Sequence, residues 1–226
     1  MRPALRLFAV AAVALLSACD PAGARDKAFP DPASDSADAR AKEDVAVFAG
    51  GCFWGVEAVF EHVRGVLDVR SGYSGGRVDR PGYGEVSEGT TGHAEAVEVV
   101  YDPTVVSYGQ LLSVFFTVAH DPTQLDRQGP DRGSQYRSAN FYRGPAQQRA
   151  AQAYVRRLTD ARAFGDRPVV TRIEPLQAFW PAEDYHQDFA RLHPDHPYIR
   201  HWDAPKLVDL RTELPSLYRA EGLASR

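Results

Sequence analysis

A cysteine preceded by two glycines and followed by two aromatics, Gly50-Gly51-Cys52-Phe53-Trp54-Gly55, is the segment of this chain best equipped to do chemistry. Before it, Val45-Ala46-Val47-Phe48 has the apolar run of a short buried strand; after it, Val56 to Val63 reads as helix. Cys52 therefore falls at a helix start, where unpaired N–H groups and the helix dipole favour negative charge and lower a thiol pKa from about 8.5 toward neutrality. A thiolate there is a nucleophile. A buried structural cysteine is the commoner fate of a lone Cys, but two glycines and two aromatics are more than packing asks for.

A second chemical group lies on the run from 95 to 101. Glu95, Val97 and Val99 share one face by the two-residue period of a strand, so a carboxyl points the same way as two apolar side chains. Burial disfavours its charged form and raises its pKa, which makes it a proton donor near neutrality. On spacing alone, a strand-end glutamate that reaches solvent fits equally well.

The elements that must position these two groups alternate along the chain. A strand near 45–48, a helix over 53–62 and a strand over 66–73 are followed by a long Gly/Tyr loop to Gly92. The strand at 95–101 ends at Asp102-Pro103, and a helix from Tyr108 to Ala119 is opened by Ser107 with Gln110 three residues on, a capping box. A polar loop over 120–134 leads to a strand over 136–142, a helix over 145–163 and a strand over 168–174. Short helices near 182–192 and 206–219 close the chain. Such alternation means a sheet covered by helices, an α/β or α+β sandwich, with strand order left open.

The first residues read as an address. Met1 to Arg6 carries two arginines, Leu7 to Leu16 is apolar, and Leu16-Ser17-Ala18-Cys19 ends the run with small residues before a cysteine. The run is too short for a typical transmembrane helix. It resembles a bacterial lipoprotein signal peptide over 1–18, with Cys19 the lipidated first residue of the mature chain; an ordinary secretory cleavage site is the alternative. Asp20 resembles the signal that retains such lipoproteins at the inner membrane of Gram-negative cells, so the expected location is the cell envelope, facing the periplasm. The stretch 19–43, rich in Ala, Asp, Ser and Pro, cannot bury enough surface to fold and reads as a tether spanning on the order of 25–30 Å. One domain is expected over 44–226. A formal net charge of −4 with no basic cluster argues against a nucleic-acid partner. Scattered histidines and the absence of a phosphate-loop ending leave no metal or nucleotide motif.

Taken in order, Gly51-Cys52-Phe53-Trp54-Gly55, Gly72-Tyr73-Ser74-Gly75-Gly76, Gly92-His93-Ala94-Glu95, His120-Asp121-Pro122-Thr123-Gln124, Asp131-Arg132-Gly133-Ser134-Gln135-Tyr136-Arg137-Ser138 and Ala182-Glu183-Asp184-Tyr185-His186-Gln187 resemble the motifs of the A-type peptide methionine sulfoxide reductases. Ordered motifs at consistent separations are far more specific than any one of them. The resemblance implies a two-layer sandwich, a mixed β-sheet covered by helices in a variant of the ferredoxin-like arrangement, and an enzyme that needs no cofactor. It implies that Cys52 attacks the sulfoxide sulfur while Glu95 protonates the departing oxygen, leaving methionine and a Cys52 sulfenic acid. It further implies that Tyr83 and Tyr136 donate hydrogen bonds to that oxygen, that Phe53 and Trp54 wall the site of the S-methyl group, and that Asp131 supports the network. Without the resemblance, each tyrosine reads as an ordinary core aromatic, and His186 is taken as structural.

Many relatives end in a glycine-rich tail with one or two resolving cysteines, whereas this tail, through Asp203-Ala204-Pro205-Lys206 to Leu217-Tyr218-Arg219, has none. It resembles the single-cysteine branch, whose sulfenic acid must be reduced by an outside thiol: a thioredoxin-like protein or a small thiol. The substrate is protein-bound or free methionine sulfoxide, and the chain is expected to act as a monomer. Two other readings stand beside this one: a thiol peroxidase, which has no use for a methyl pocket or a protonated Glu95, and a non-enzymatic tethered binding module, which would tolerate Cys52→Ser.

Overall fold

A computed structural model describes residues 42–223 of the 226-residue chain. The expected leader, Cys19 and most of the tether lie outside the described residues.

The element order is β1 (Asp44–Gly50), α1 (Phe53–Glu61), β2 (Val66–Ser74), α2 (Tyr83–Ser87), β3 (Ala94–Tyr101) and α3 (Tyr108–Val114), which runs on as a wider π turn over Phe115–Ala119. A two-residue hairpin, β4 (Arg127–Gln128) with β5 (Asp131–Arg132), precedes β6 (Ser138–Tyr142), α4 (Pro145–Asp160), β7 (Arg172–Pro175) and β8 (Phe179–Pro181). The helices α5 (Phe189–Leu192) and α6 (Ala204–Glu213) follow. Six strands form one sheet in the order β7-β6-β1-β3-β2-β8, antiparallel throughout except for the parallel β6–β7 pair. The central four, β6-β1-β3-β2, with α1 after β1 and α3 after β3, are the ferredoxin-like βαββαβ unit, and β7 and β8 extend it at both edges. This mixed sheet with helices is the expected α/β sandwich.

Strand periodicity decides which residues enter which layer. Ala46 and Phe48 of β1, with Val97 and Val99 of β3, face the helices and join the main core; Val47 and Ala49, with Ala94, Ala96 and Ala139, face the other way into a thin apolar layer covered by Leu176 and Phe179. Phe48 is the centre of the main core, its ring 5.1 Å from that of Phe60 and 4.8 Å from that of Phe115. The helix α1 is buried almost all round, because it is sandwiched between the sheet and the C-terminal segment. Its polar residues Glu57 and Glu61 are buried as well.

The capping box at α3 forms as its sequence predicts: the Gln110 N–H donates to Ser107 Oγ at 3.1 Å and the Ser107 N–H to Gln110 Oε1 at 2.9 Å. The loop before Gly92 is not wholly irregular, since it holds α2, and the polar loop over 120–134 holds the β4–β5 hairpin. The strand expected over 168–174 is shorter and later, at Arg172–Pro175, and β8 carries no periodic signal that would single it out. Both pair at sheet edges, where short strands suffice.

Candidate active site

Cys52 is the N-cap residue of α1. It is delivered there by Gly51, whose φ of +89° suits glycine and whose missing side chain leaves room for Gln128; a Cβ would lie 2.4 Å from Gln128 Cβ. The first free N–H groups of α1 are divided between two side chains. Phe53 donates its N–H to Glu95 Oε2 at 3.0 Å, and the Trp54 N–H points to the Cys52 sulfur. Residues 43 positions apart in the chain thus share one helix N-terminus, because β1 and β3 are neighbours in the sheet.

Glu95 is 2% exposed, which settles its orientation in favour of the apolar face. Burial pushes its carboxyl up to about 8 against the pull of the Phe53 N–H, with the charge of Asp131 adding to the rise. It therefore carries a proton at neutral pH. The thiol departs from expectation: instead of being lowered, its pKa is pushed well up, first by burial and then by the charges of Glu95 and Asp203, while the Trp54 N–H and Lys206 pull it down. The physical reason is that the helix N-terminus is shared with Glu95 and that protein packs closely round the sulfur. Cys52 keeps part of its surface open to solvent, but the crowding dominates, and the resting form is the thiol.

The remaining sequence-predicted residues converge on this pair. Tyr83, at the start of α2, and Tyr136, at the end of a 3₁₀ turn, are both half-buried and both feel the charges of Glu95 and Cys52. Burial, then Glu95, raises each hydroxyl, so both remain donors. Asp131 lies on β5 and accepts a hydrogen bond from the Tyr198 hydroxyl. Trp54 is half-buried, its indole stacked on Phe189 at 3.8 Å and met edge-on by His196 and Tyr198. Phe53 is deeper, 1% exposed, with its ring 5.0 Å from that of His186.

Several partners were not singled out by the sequence. His186 accepts from the Trp54 indole N–H at Nδ1, 3.1 Å away; burial lowers its pKa, so the ring is neutral with its proton on Nε2 by this assignment. Glu183 accepts from the Tyr83 N–H at 2.8 Å and from the Tyr73 hydroxyl at 2.9 Å, fixing α2 to the sheet. Tyr198 and the pair Asp203–Lys206 come from the C-terminal segment, with no spacing rule linking them to Cys52. Of these, Glu183 and His186 had a visible signal, since both sit within the motif Ala182-Glu183-Asp184-Tyr185-His186-Gln187.

The arrangement offers a thiol nucleophile, a carboxylic acid holding its proton at neutral pH, phenol donors around the same space and an aromatic wall. It suits attack on a soft electrophilic atom bearing an oxygen that must leave protonated.

The chain matches the family model "Peptide methionine sulfoxide reductase" over residues 44–215. It is 52% identical over 199 residues to peptide methionine sulfoxide reductase MsrA 2 of Synechocystis sp., covering 86% of this chain and 92% of that one. To peptide methionine sulfoxide reductase MsrA of Thermus thermophilus it is 50% identical over 177 residues, covering 78% and 98%. Among solved structures, methionine sulfoxide reductase A of Corynebacterium diphtheriae superposes with a TM-score of 0.60 at 36% identity, covering 73% of this chain and 82% of that one. Mxr1 of Saccharomyces cerevisiae in reduced form gives 0.61 at 31%, covering 70% and 89%.

Proposed function

The chain belongs to the peptide methionine sulfoxide reductase family, and from that premise we propose that Cys52 and Glu95 carry the reaction, on the S epimer of methionine sulfoxide. The enzyme reduces methionine sulfoxide to methionine. Glu95 gives its proton to the sulfoxide oxygen and takes up the one that Cys52 loses as it attacks the sulfoxide sulfur, so the carboxyl ends as it began while the substrate S–O bond breaks. The oxygen ends on Cys52 as a sulfenic acid and the substrate leaves as the thioether, so one sulfur is oxidised as the other is reduced. Tyr83 and Tyr136 hold the oxygen while its charge changes. Trp54, backed by Phe53 and oriented by His186, packs against the S-methyl group, and Asp131 acts through Tyr198.

The observation that carries this reading is the shared N-terminus of α1, which sets a carboxyl with a pKa of about 8 beside the sole cysteine of the domain. The test is turnover of separated epimers with dithiothreitol as reductant. The S epimer should be consumed, Cys52→Ser should be inactive, and mass spectrometry after sulfoxide without reductant should find one added oxygen on Cys52. Equal turnover of both epimers would count against the assignment.

Regeneration belongs to the same proposal. With no other cysteine between 20 and 226, the sulfenic acid condenses with an outside thiol to a mixed disulfide, which a second thiol resolves. The reductant is a thioredoxin-like protein or a small thiol. A periplasm-facing, lipid-anchored monomer, with a signal over 1–18 and Cys19 lipidated, is read from sequence alone. Finding a Cys19–Cys52 disulfide and no lipid on Cys19 in protein from its native membrane would overturn both the anchor and the single-cysteine mechanism.

A further inference from the structure

The C-terminal segment places an ion pair against the first turn of α1. Lys206 Nζ lies 3.1 Å from Asp203 Oδ1, and both reach the third residue of the helix whose N-cap is Cys52. Gly55 makes this approach feasible: a Cβ there would lie 2.0 Å from Asp203 Oδ1 and 2.8 Å from Lys206 Nζ. Asp203 is 2% exposed, and its second oxygen, Oδ2, is buried with no hydrogen-bond partner among the described residues. A carboxylate is at home beside a helix N-terminus, whereas an ammonium is not. Lys206 is held there by its pairing with Asp203.

We propose that Asp203 and Lys206 are a positioning pair of opposed sign that sets the ionisation of Cys52, Asp203 keeping it a thiol at rest and Lys206 keeping the thiolate within reach for attack. The proposal rests on Cys52 being the nucleophile of sulfoxide reduction. The groups facing Cys52 are Glu95 from β3, the phenols Tyr83, Tyr136 and Tyr198, and this pair. The phenols are held in their neutral form, and Glu95 carries a proton at neutral pH, its charge joining in only as pH rises through about 8, so at neutral pH the sulfur faces Lys206 and Asp203, whose own carboxyl burial pushes up and Lys206 draws down. Lys206 faces Asp203, Asp131 and His120, and burial lowers His120 to about 4, leaving that ring neutral. The directions agree with the geometry: Asp203 raises the thiol pKa and Lys206 lowers it. A domain with a single cysteine gains from this restraint, because a standing thiolate without a resolving partner is open to irreversible over-oxidation.

The test uses the full chain and the pH dependence of iodoacetamide alkylation at Cys52, read on its own peptide by mass spectrometry so that Cys19 does not contribute. Asp203→Asn removes the negative member and should raise alkylation at pH 7 about tenfold, with its midpoint about one unit lower. Lys206→Met keeps the length of the side chain and removes the charge; alkylation should fall about tenfold and the midpoint rise. Thermal melts establish that both are folded, and Lys206→Gln replaces Lys206→Met if the latter is not. Shifts of the same sign, or unchanged midpoints in folded variants, would overturn the proposal. The alkylation assay contains no sulfoxide, so failure here is distinct from failure of the reductase reading, which would appear as wild-type protein without turnover.

Discussion

Glu95→Gln is the most direct probe of the proton supply. Glutamine keeps the shape and can still accept the Phe53 N–H that now meets Glu95 Oε2 at 3.0 Å, so α1 and the Cys52 turn should stay in place. What disappears is the proton. With a pKa of about 8, the wild-type acid outnumbers its carboxylate about ten to one at pH 7, so almost every molecule is ready to protonate the leaving oxygen. Losing general acid catalysis of this kind costs on the order of 10²–10⁴ in rate, about 2.7–5.4 kcal/mol of barrier. The measurement is single-turnover methionine formation, quenched over time, from pH 5 to 10. The wild-type rate should decline as pH rises through about 8, where Glu95 loses its proton; the variant should lack that decline, and its deficit should shrink at low pH, where solvent protons substitute. An unchanged rate that keeps the wild-type decline near 8 would show that Glu95 is structural and that another group delivers the proton.

Glu61 is buried on α1 with its carboxyl pushed up to about 9 from 4.5, first by burial and then by its bond to Asp188, so its contribution to stability is full below pH 4.5 and is lost as pH rises through about 9. Glu61→Gln should therefore flatten the fall in melting temperature between pH 5 and 9, and an equally steep fall in the variant would refute this. Phe48→Ala empties the centre of the aromatic core beside Phe60 and Phe115 and should cost about 3–5 kcal/mol in urea denaturation; a loss below about 1 kcal/mol would mean that the core collapses into the gap. Ser107→Ala removes the acceptor of the Gln110 N–H and should cost about 1 kcal/mol without altering sulfoxide turnover. Trp54→Phe loses the bond to His186 Nδ1 and should raise KM for methionine sulfoxide more than it lowers kcat, and a pure kcat effect would place the indole elsewhere in the reaction.

Local features could be read from the chain alone. Gly51 before Cys52, the apolar run of β1, the alternation of β3 and the Ser107–Gln110 box each depend on neighbours within a few residues, so strand, turn, helix and cap could be read where they stand. Cys52 and Glu95 were legible as candidates for the same reason, one from its place at a helix start, the other from the period of its strand, which left its burial open. What those groups are worth came from packing between distant segments. That Glu95 is buried, and accepts an N–H from the very helix that begins at Cys52, follows from β1 and β3 being neighbours, which no periodicity encodes. The thiol pKa went the opposite way to the helix-start expectation, because desolvation and the charges of Glu95 and Asp203 arrive from distant parts of the chain. Tyr198, Asp203 and Lys206 entered the site by the same route, on a C-terminal segment whose packing against α1 depends on the absent side chain of Gly55. A titration state is a sum over everything packed around a group, and that sum exists only once the chain has folded.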